Sequence, residues 1–179
     1  MKPLPTIHLR AMEPEDLDLL YRIENDEALW ALGMTNVPYS RYVLHDYIDR
    51  ATGDIYADKQ VRLVMENAEG ETVGIIDLTN FDPKNQRAEV GIVVMNAHRR
   101  QGYATAAMRQ LHRYAQATLH LHQLYAVIPA DNAASRRLFL AMDYRERAPL
   151  ADWLYDGCRH HDAVMMQHIF QKTKENQPI

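Results

Sequence analysis

Apolar and polar residues alternate in Ile7-His8-Leu9-Arg10, which predicts a short strand near the N-terminus. Pro14-Glu15-Asp16 then opens a helix, with proline pre-set for the first helical position and acids near the positive dipole end. Leu17, Leu20, Tyr21 and Glu24 carry it forward at helical spacing. Between Trp30 and Tyr56 the pattern is mixed and broken by Pro38, with Tyr42, Asp46, Ile48 and Asp49 on a second helix. Val61-Arg62-Leu63-Val64-Met65 and Val73-Gly74-Ile75-Ile76-Asp77-Leu78, joined by a turn at Asn67 to Gly70, predict an antiparallel hairpin. A turn from Phe81 to Gln86 precedes a further strand, Ala88 to Met95. There Gly91 interrupts an apolar run and the alternation slips at Ile92-Val93-Val94. Such a glycine marks a bulge or a ligand's approach, or else packs a doubly buried strand; both readings stand at this point.

Ala104, Ala107, Met108, Leu111 and Ala115 share one helical face, and Leu124-Tyr125-Ala126-Val127-Ile128 reads as the next strand. Asn132 caps a helix from Ala133 to Met142. Tyr144 to Phe170 reads as two strands joined near Asp156-Gly157, and 171–179 is a polar, frayed tail. The order β-α-α-β-β-β-α-β-α-β-β, with no repeat or linker, is α/β with a mixed sheet, one domain over 1–170. A chain of 179 residues is large enough to bury one proper core.

Composition narrows the partners. A net charge of −4 and no Lys/Arg block argue against nucleic acid and suit a cationic substrate such as an amine. A single cysteine, Cys158, excludes an internal disulfide framework and fits a reducing cytoplasm. Neither an apolar signal core nor a membrane span is present, so a cytoplasmic protein without membrane attachment is expected. His112, His120, His122, His160 and His161 lack an accompanying Cys or acid cluster at ligand spacing, so no metal is expected.

The chemistry concentrates in His98-Arg99-Arg100-Gln101-Gly102-Tyr103-Ala104-Thr105, which ends a strand and opens a helix. Gly102 permits the backbone angles of a turn whose N–H groups point into one cavity, and small Ala104 keeps the next turn clear. With the helix dipole behind it, this Arg-x-x-Gly-x-Ala loop is a seat for a pyrophosphate. It lacks the Gly-Lys-[Ser/Thr] ending that would favour an unrelated nucleotide.

The loop, the strand Ala88-Glu89-Val90-Gly91-Ile92-Val93-Val94 before it, and Asn132-Ala133-Ala134-Ser135-Arg136-Arg137-Leu138-Phe139 after it resemble the Gcn5-related N-acetyltransferase (GNAT) superfamily from Ile7 to Phe170. Arg87-Ala88-Glu89, Gly102-Tyr103-Ala104-Thr105 and Leu124-Tyr125 are similar to spermidine N-acetyltransferases. Asn132 with Ser135 is similar to ribosomal-protein N-terminal acetyltransferases. The resemblance implies a twisted, mostly antiparallel sheet with helices on both faces. It also implies a bulged central strand splayed from its neighbour, and acetyl-CoA as cosubstrate in the opening. The pyrophosphate would sit on Arg99, Arg100, Gln101, Gly102, Tyr103, Ala104 and Thr105. The pantetheine arm would pair with the backbone of Ile92, Val93 and Val94, near Ser135 and Phe139, and Asn132 would bond that arm or simply cap its helix. The family's dimers imply a homodimer through the C-terminal strands.

Acetylating a primary amine needs a base, a held thioester and a proton for the leaving thiolate. Glu89 and Asp77 are the candidate bases; each serves equally well as a salt-bridge partner or a solvated strand end. The family's acid is a tyrosine at the position of Phe139, which has no proton to give. Ser135, one turn earlier on nearly the same face, is the preferred substitute, ahead of Tyr103 and Tyr144; local backbone bonding explains Ser135 as well. Asp143 stands where the family has a helix-ending glycine, in a conformation aspartate tolerates. Met34-Thr35-Asn36-Val37-Pro38-Tyr39 lacks the glutamates of polyamine enzymes, although Asp46, Asp49, Asp54 and Asp58 offer negative charge nearby. The expected activity is acetyl-CoA-dependent transfer to a polyamine, small-molecule amine or protein N-terminus. The alternative is an acyl-CoA-binding module whose turnover is weak or lost with its tyrosine.

Overall fold

The computed structural model describes residues 3–30 and 37–171. The expectations for Met34, Thr35 and Asn36, and for the tail beyond Gln171, lie outside them. Seven strands form one sheet: β1 (Ile7–Ala11), β2 (Val61–Asn67), β3 (Thr72–Asp82), β4 (Arg87–Val94), β5 (Gln123–Pro129), β6 (Arg145–Tyr155) and β7 (His160–Ile169). Their order is β1-β2-β3-β4-β5-β7-β6. Every pairing is antiparallel except β4 with β5, which is parallel. The helices are α1 (Leu17–Glu24), α2 (Glu27–Trp30), α3 (Arg41–Asp49), α4 (Ile55–Asp58), α5 (Tyr103–Ala117) and α6 (Ala133–Ala141). Pattern reading finds all of these except α2 and α4, which are single turns too short to show a period.

Strand alternation explains the two layers. Met65, Ile76, Leu78, Val90, Leu124, Ala126 and Met166 point to one face, where Ala107, Met108, Leu111 and Ala115 of α5 and Phe139 of α6 cover them. Val64 and Ile75 point to the other, under Leu19 and Ile23 of α1, with Val93 beside them. Helices therefore cover both faces, as expected. Asn67 makes the β2–β3 turn by accepting from the N–H groups of Glu69 and Glu71 (3.1 and 2.8 Å). Asp143 ends the segment after α6 at φ +63°, the left-handed conformation expected of it.

The bulge expected in β4 lies elsewhere. β4 runs in register with β3 from Glu89↔Thr79 to Val94↔Gly74, and the shift falls in β3 between Thr79 and Asp82. Asn80 there has φ +49°, a conformation asparagine adopts more readily than most residues. The slip of apolar residues at Ile92-Val93-Val94 has another cause: both faces of β4 are covered, so alternation carries no information there. Gly74 is required by close approach, since a Cβ on it would lie 2.1 Å from the Val93 carbonyl oxygen.

Behind α6 lies an aromatic cluster. Phe139 is 3% exposed and meets Tyr144 edge to face at 4.8 Å. Tyr144, 1% exposed, shares a 3.1 Å hydrogen bond between its hydroxyl and His112 Nε2, and His112 stacks on His168 at 4.7 Å. Burial, helped by His168, lowers the His112 pKa to about 4.

Two outcomes follow from this packing. Gly74→Ala is expected to cost about 2 to 3 kcal/mol, read as a lower denaturant midpoint, because β4 must move away from β3. In the unfolded chain His112 titrates near 6.5, so between that value and about 4 the unfolded state binds more protons. Stability is thus complete above pH 6.5 and falls with pH, by about 2 kcal/mol after allowing for the ring's partial exposure. His112→Gln is expected to flatten that part of the stability profile.

Candidate active site

The parallel ladder between β4 and β5 has three rungs, Arg87↔Gln123, Ala88↔Leu124 and Glu89↔Tyr125, and stops. Beyond them β5 stays paired with β7 up to Pro129, while β4 stays with β3 up to Val94. The neighbours therefore part, leaving a V with its apex at Glu89 and Tyr125. Met95 donates its N–H to Val73 at 2.9 Å, so antiparallel alternation turns Gly91 and Val93 toward β3 and Val90, Ile92 and Val94 toward the opening. For the expected arm contacts this separates the three residues: the backbone groups of Ile92 and Val94 face the opening, and those of Val93 do not. Its backbone belongs to Ile75 and its side chain packs toward α1.

At the far end of β4 the loop forms as expected. Arg100 has φ +62° and Gly102 φ +92°, alternating left-handed residues of the kind that gather N–H groups into a concavity. Among the described residues, no protein acceptor takes the N–H groups from Arg100 to Thr105; α5 begins its own ladder with Ala106 donating to the Gly102 carbonyl at 3.1 Å. The loop is fixed from within. Arg99 Nε donates to the Val94 carbonyl at 2.9 Å, and Gln101 Nε2 to the Ala97 carbonyl at 3.0 Å. Arg99 thus ties strand to loop and uses the Val94 carbonyl, leaving its N–H for the opening. Tyr103 packs edge-on against His98 at 6.0 Å, and Leu4 and Pro5 sit against Gly102.

Of the residues beyond β5, Asn132 caps α6 by accepting from Ser135 N–H at 3.1 Å. Ser135 is half-buried. Phe139 is packed into the core, and Tyr144, weighed as a substitute acid, is sealed against His112 with burial pushing its phenol well up. Tyr144 cannot reach a leaving group in the V.

The two candidate bases share the face away from α5 but not a state. Asp77 is gripped by Arg62 through two hydrogen bonds (3.0 and 3.1 Å), and Arg62 also holds Glu24 of α1 at 2.6 Å. Burial raises the Asp77 pKa while Arg62 pulls it down, so the ion-pair reading is the one observed. Glu89 is half-buried at the apex and accepts from Asn80 Nδ2 at 2.8 Å. The bulge in β3 delivers that asparagine. Arg62, Glu24, Asn80 and Tyr125 were not among the site residues expected from sequence. A lone arginine inside Val61 to Met65 was the one available signal. Three of the four nearby acids are spent locally: Asp54 caps α4, Asp58 accepts from Thr52, and Asp46 pairs with Arg50 at 2.8 Å. Cys158 is exposed in the β6–β7 turn.

Comparison with known proteins agrees with this geometry. Residues 6–145 match the acetyltransferase (GNAT) domain family. The chain is 30% identical over 162 residues to the putative ribosomal N-acetyltransferase YdaF of Bacillus subtilis (strain 168), covering 88% of each. It is 25% identical over 172 residues to spermidine N(1)-acetyltransferase of Escherichia coli (strain K12), covering 94% of this chain and 89% of that one. The crystal structure of spermidine N-acetyltransferase from Vibrio cholerae in complex with CoA and spermine superposes with a TM-score of 0.81 at 22% identity, over 91% of this chain and 95% of that one. Parted parallel strands, a left-handed glycine loop and the match over most of its length give one conclusion: this chain belongs to the GNAT acetyltransferase family.

Proposed function

We propose that this protein transfers the acetyl group of acetyl-CoA to a primary amine by direct attack. The observation that carries the reading is the V between β4 and β5, an unpaired strand edge leading to a loop of unpaired N–H groups. Those features fit a long carrier with an amide-bearing arm and a pyrophosphate. The anion belongs at Arg100 to Thr105, where N–H groups and the α5 dipole favour it. The arm belongs beside Ile92 and Val94, near Asn132, whose Oδ1 caps α6. Val90 to Val94 spans about 13 Å, so the arm's reactive end belongs near the apex. The bound donor supplies an acetyl thioester; the protein's own residues manage the protons.

Glu89 is the proposed base, acting directly or through one water on the ammonium that an amine carries at neutral pH. Asn80 orients its carboxylate. Asp77 is better suited to shaping the acceptor side, because Arg62 already neutralises it. Asp77 and Glu24 bring carboxylates to that side, which suits a cationic acceptor. Polyamine, small amine and peptide N-terminus are the acceptor classes, and relatives named for spermidine and for ribosomal substrates support both ends of that range. Among the described residues no helix is long and apolar enough to cross a membrane. With Cys158 as its one thiol the protein suits the cytoplasm. Strand β6, at the sheet edge with Trp153 and Tyr155 exposed, is the surface through which two copies would pair.

The alternative, a binding module with lost turnover, is favoured by one observation: Phe139 is in the core and carries no proton. Calorimetry with coenzyme A tests the shared premise, with one saturable site expected and at least tenfold weaker binding in Gly102→Glu. No heat from the parent protein overturns both readings. Thiol release on a panel of amines then separates them, since turnover is expected and binding without turnover on any acceptor favours the module. Glu89→Gln is expected to lower kcat roughly 10²-fold, whereas Asp77→Asn is expected to lower stability and acceptor affinity more than kcat.

A further inference from the structure

At the apex of the V a tyrosine stands beside the proposed base. Glu89 and Tyr125 form the last rung between β4 and β5, so their side chains leave the sheet side by side. Leu124 and Ala126 point into the core under α5, which puts Tyr125 on the opposite face with Glu89. Both are half-buried, next to the point where the strands separate. The bulge at Asn80 brings a side-chain amide to Glu89 at 2.8 Å and closes the group from the β3 side. Ser135, by contrast, lies in the first turn of α6, beside the Asn132 that caps that helix.

We propose that Tyr125 is the general acid of this enzyme and works as a pair with Glu89. The inference rests on the acetyl-transfer reading above. Glu89 relays the ammonium's first proton to solvent, and the neutral amine nitrogen then gives a second proton to the Glu89 carboxylate as it forms the C–N bond to the acetyl carbon. The C–S bond breaks, and its electron pair leaves with sulfur. The Tyr125 hydroxyl protonates that sulfur, and the phenolate recovers a proton from the Glu89 carboxylic acid. One proton has moved from amine to thiol, and both side chains return to their starting states.

The electrostatics give this pair an order of events. Burial and then the Glu89 carboxylate raise the Tyr125 pKa, while Arg87 on the same face and Asn80 lower it. The residue facing Tyr125 from β7 is Gln167, which is neutral. While Glu89 is ionised, Tyr125 therefore holds its proton. Once Glu89 has taken the amine's proton its charge is gone, and the phenol becomes a stronger acid when the thiolate needs it. The coupling prevents the phenol from ionising early and favours its ionisation late.

Two measurements test this. Tyr125→Phe, a near-isosteric change, is expected to lower kcat roughly 10²-fold, leave KM for the amine and the affinity for coenzyme A within about twofold, and remove the alkaline limb of the kcat profile. Ser135→Ala is expected to leave kcat within about threefold. If Tyr125→Phe keeps its kcat, or Ser135→Ala shows the loss instead, the proposal falls while acetyl transfer itself stands. The second readout needs no turnover: phenolate absorbance of the free protein, titrated with base. One tyrosine transition, missing in Tyr125→Phe, is expected to move to lower pH in Glu89→Gln. An unmoved transition shows that the two groups are uncoupled and overturns the pair. Failure of the parent protein to bind coenzyme A instead removes the underlying reading.

Discussion

Backbone hydrogen bonding at the seam between β4 and β5 is the constraint from which the site follows. A buried strand must satisfy its N–H and C=O groups, and β4 does so on one side through β3 along its whole length. On the other side its partner leaves after Glu89. Val90, Ile92 and Val94 are then a strand edge inside the protein, held in extended form by β3 and aimed into a gap. Arg99 satisfies the last carbonyl of that edge, and among the described residues Ile92 and the Val94 N–H have no strand opposite them. The same divergence leads the chain out of β4 into the loop and on into α5. The edge proposed for the arm and the loop proposed for the anion thus come from one continuous stretch, Val90 to Thr105.

Charge is arranged around this seam by face. On the α5 side the opening is lined by apolar side chains and ends in a positive helix terminus. On the α1 side it meets carboxylates. Arg62 binds Asp77 and Glu24 and lies over the ring of Tyr47 at 5.7 Å, so the cluster is held by contacts from both helices and sheet. Such a network stabilises little in net terms, because desolvation offsets much of the attraction. Its consequence is geometric: Asp77 is fixed opposite Gly91, where the missing side chain leaves the carboxylate near the strand surface, 3.7 Å from a would-be Cβ. In the proposed reaction an anionic donor and a cationic acceptor would thereby have separate faces.

The phenylalanine at 139 looks like a loss from sequence and less so from structure. Its ring completes a cluster with Tyr144 and His112, in which both polar groups satisfy each other away from water. A hydroxyl on that ring would need its own partner there. The proton-donating role has a natural second address at the rung that opens the V, where a tyrosine already stands beside a carboxylate.

Much of the molecule was legible in the chain. The periods of the strands and of α1, α3, α5 and α6, the cap at Asn132, the turn at Asn67 and the left-handed Asp143 are local matters, set by neighbours in sequence, and the residues announce them. The left-handed turn at Gly102 was legible too, because the glycine states a backbone requirement directly. What the chain withheld were consequences of registration. Whether the bulge lay in β3 or β4, which of Ile92, Val93 and Val94 face the gap, and whether Asp77 is a base or an ion-pair partner depend on which strand lies alongside. The pairing of Glu89 with Tyr125 across 36 residues depends on where a parallel ladder ends. Sequence fixes which atoms a strand can offer; only the tertiary pairing decides which of them are already taken.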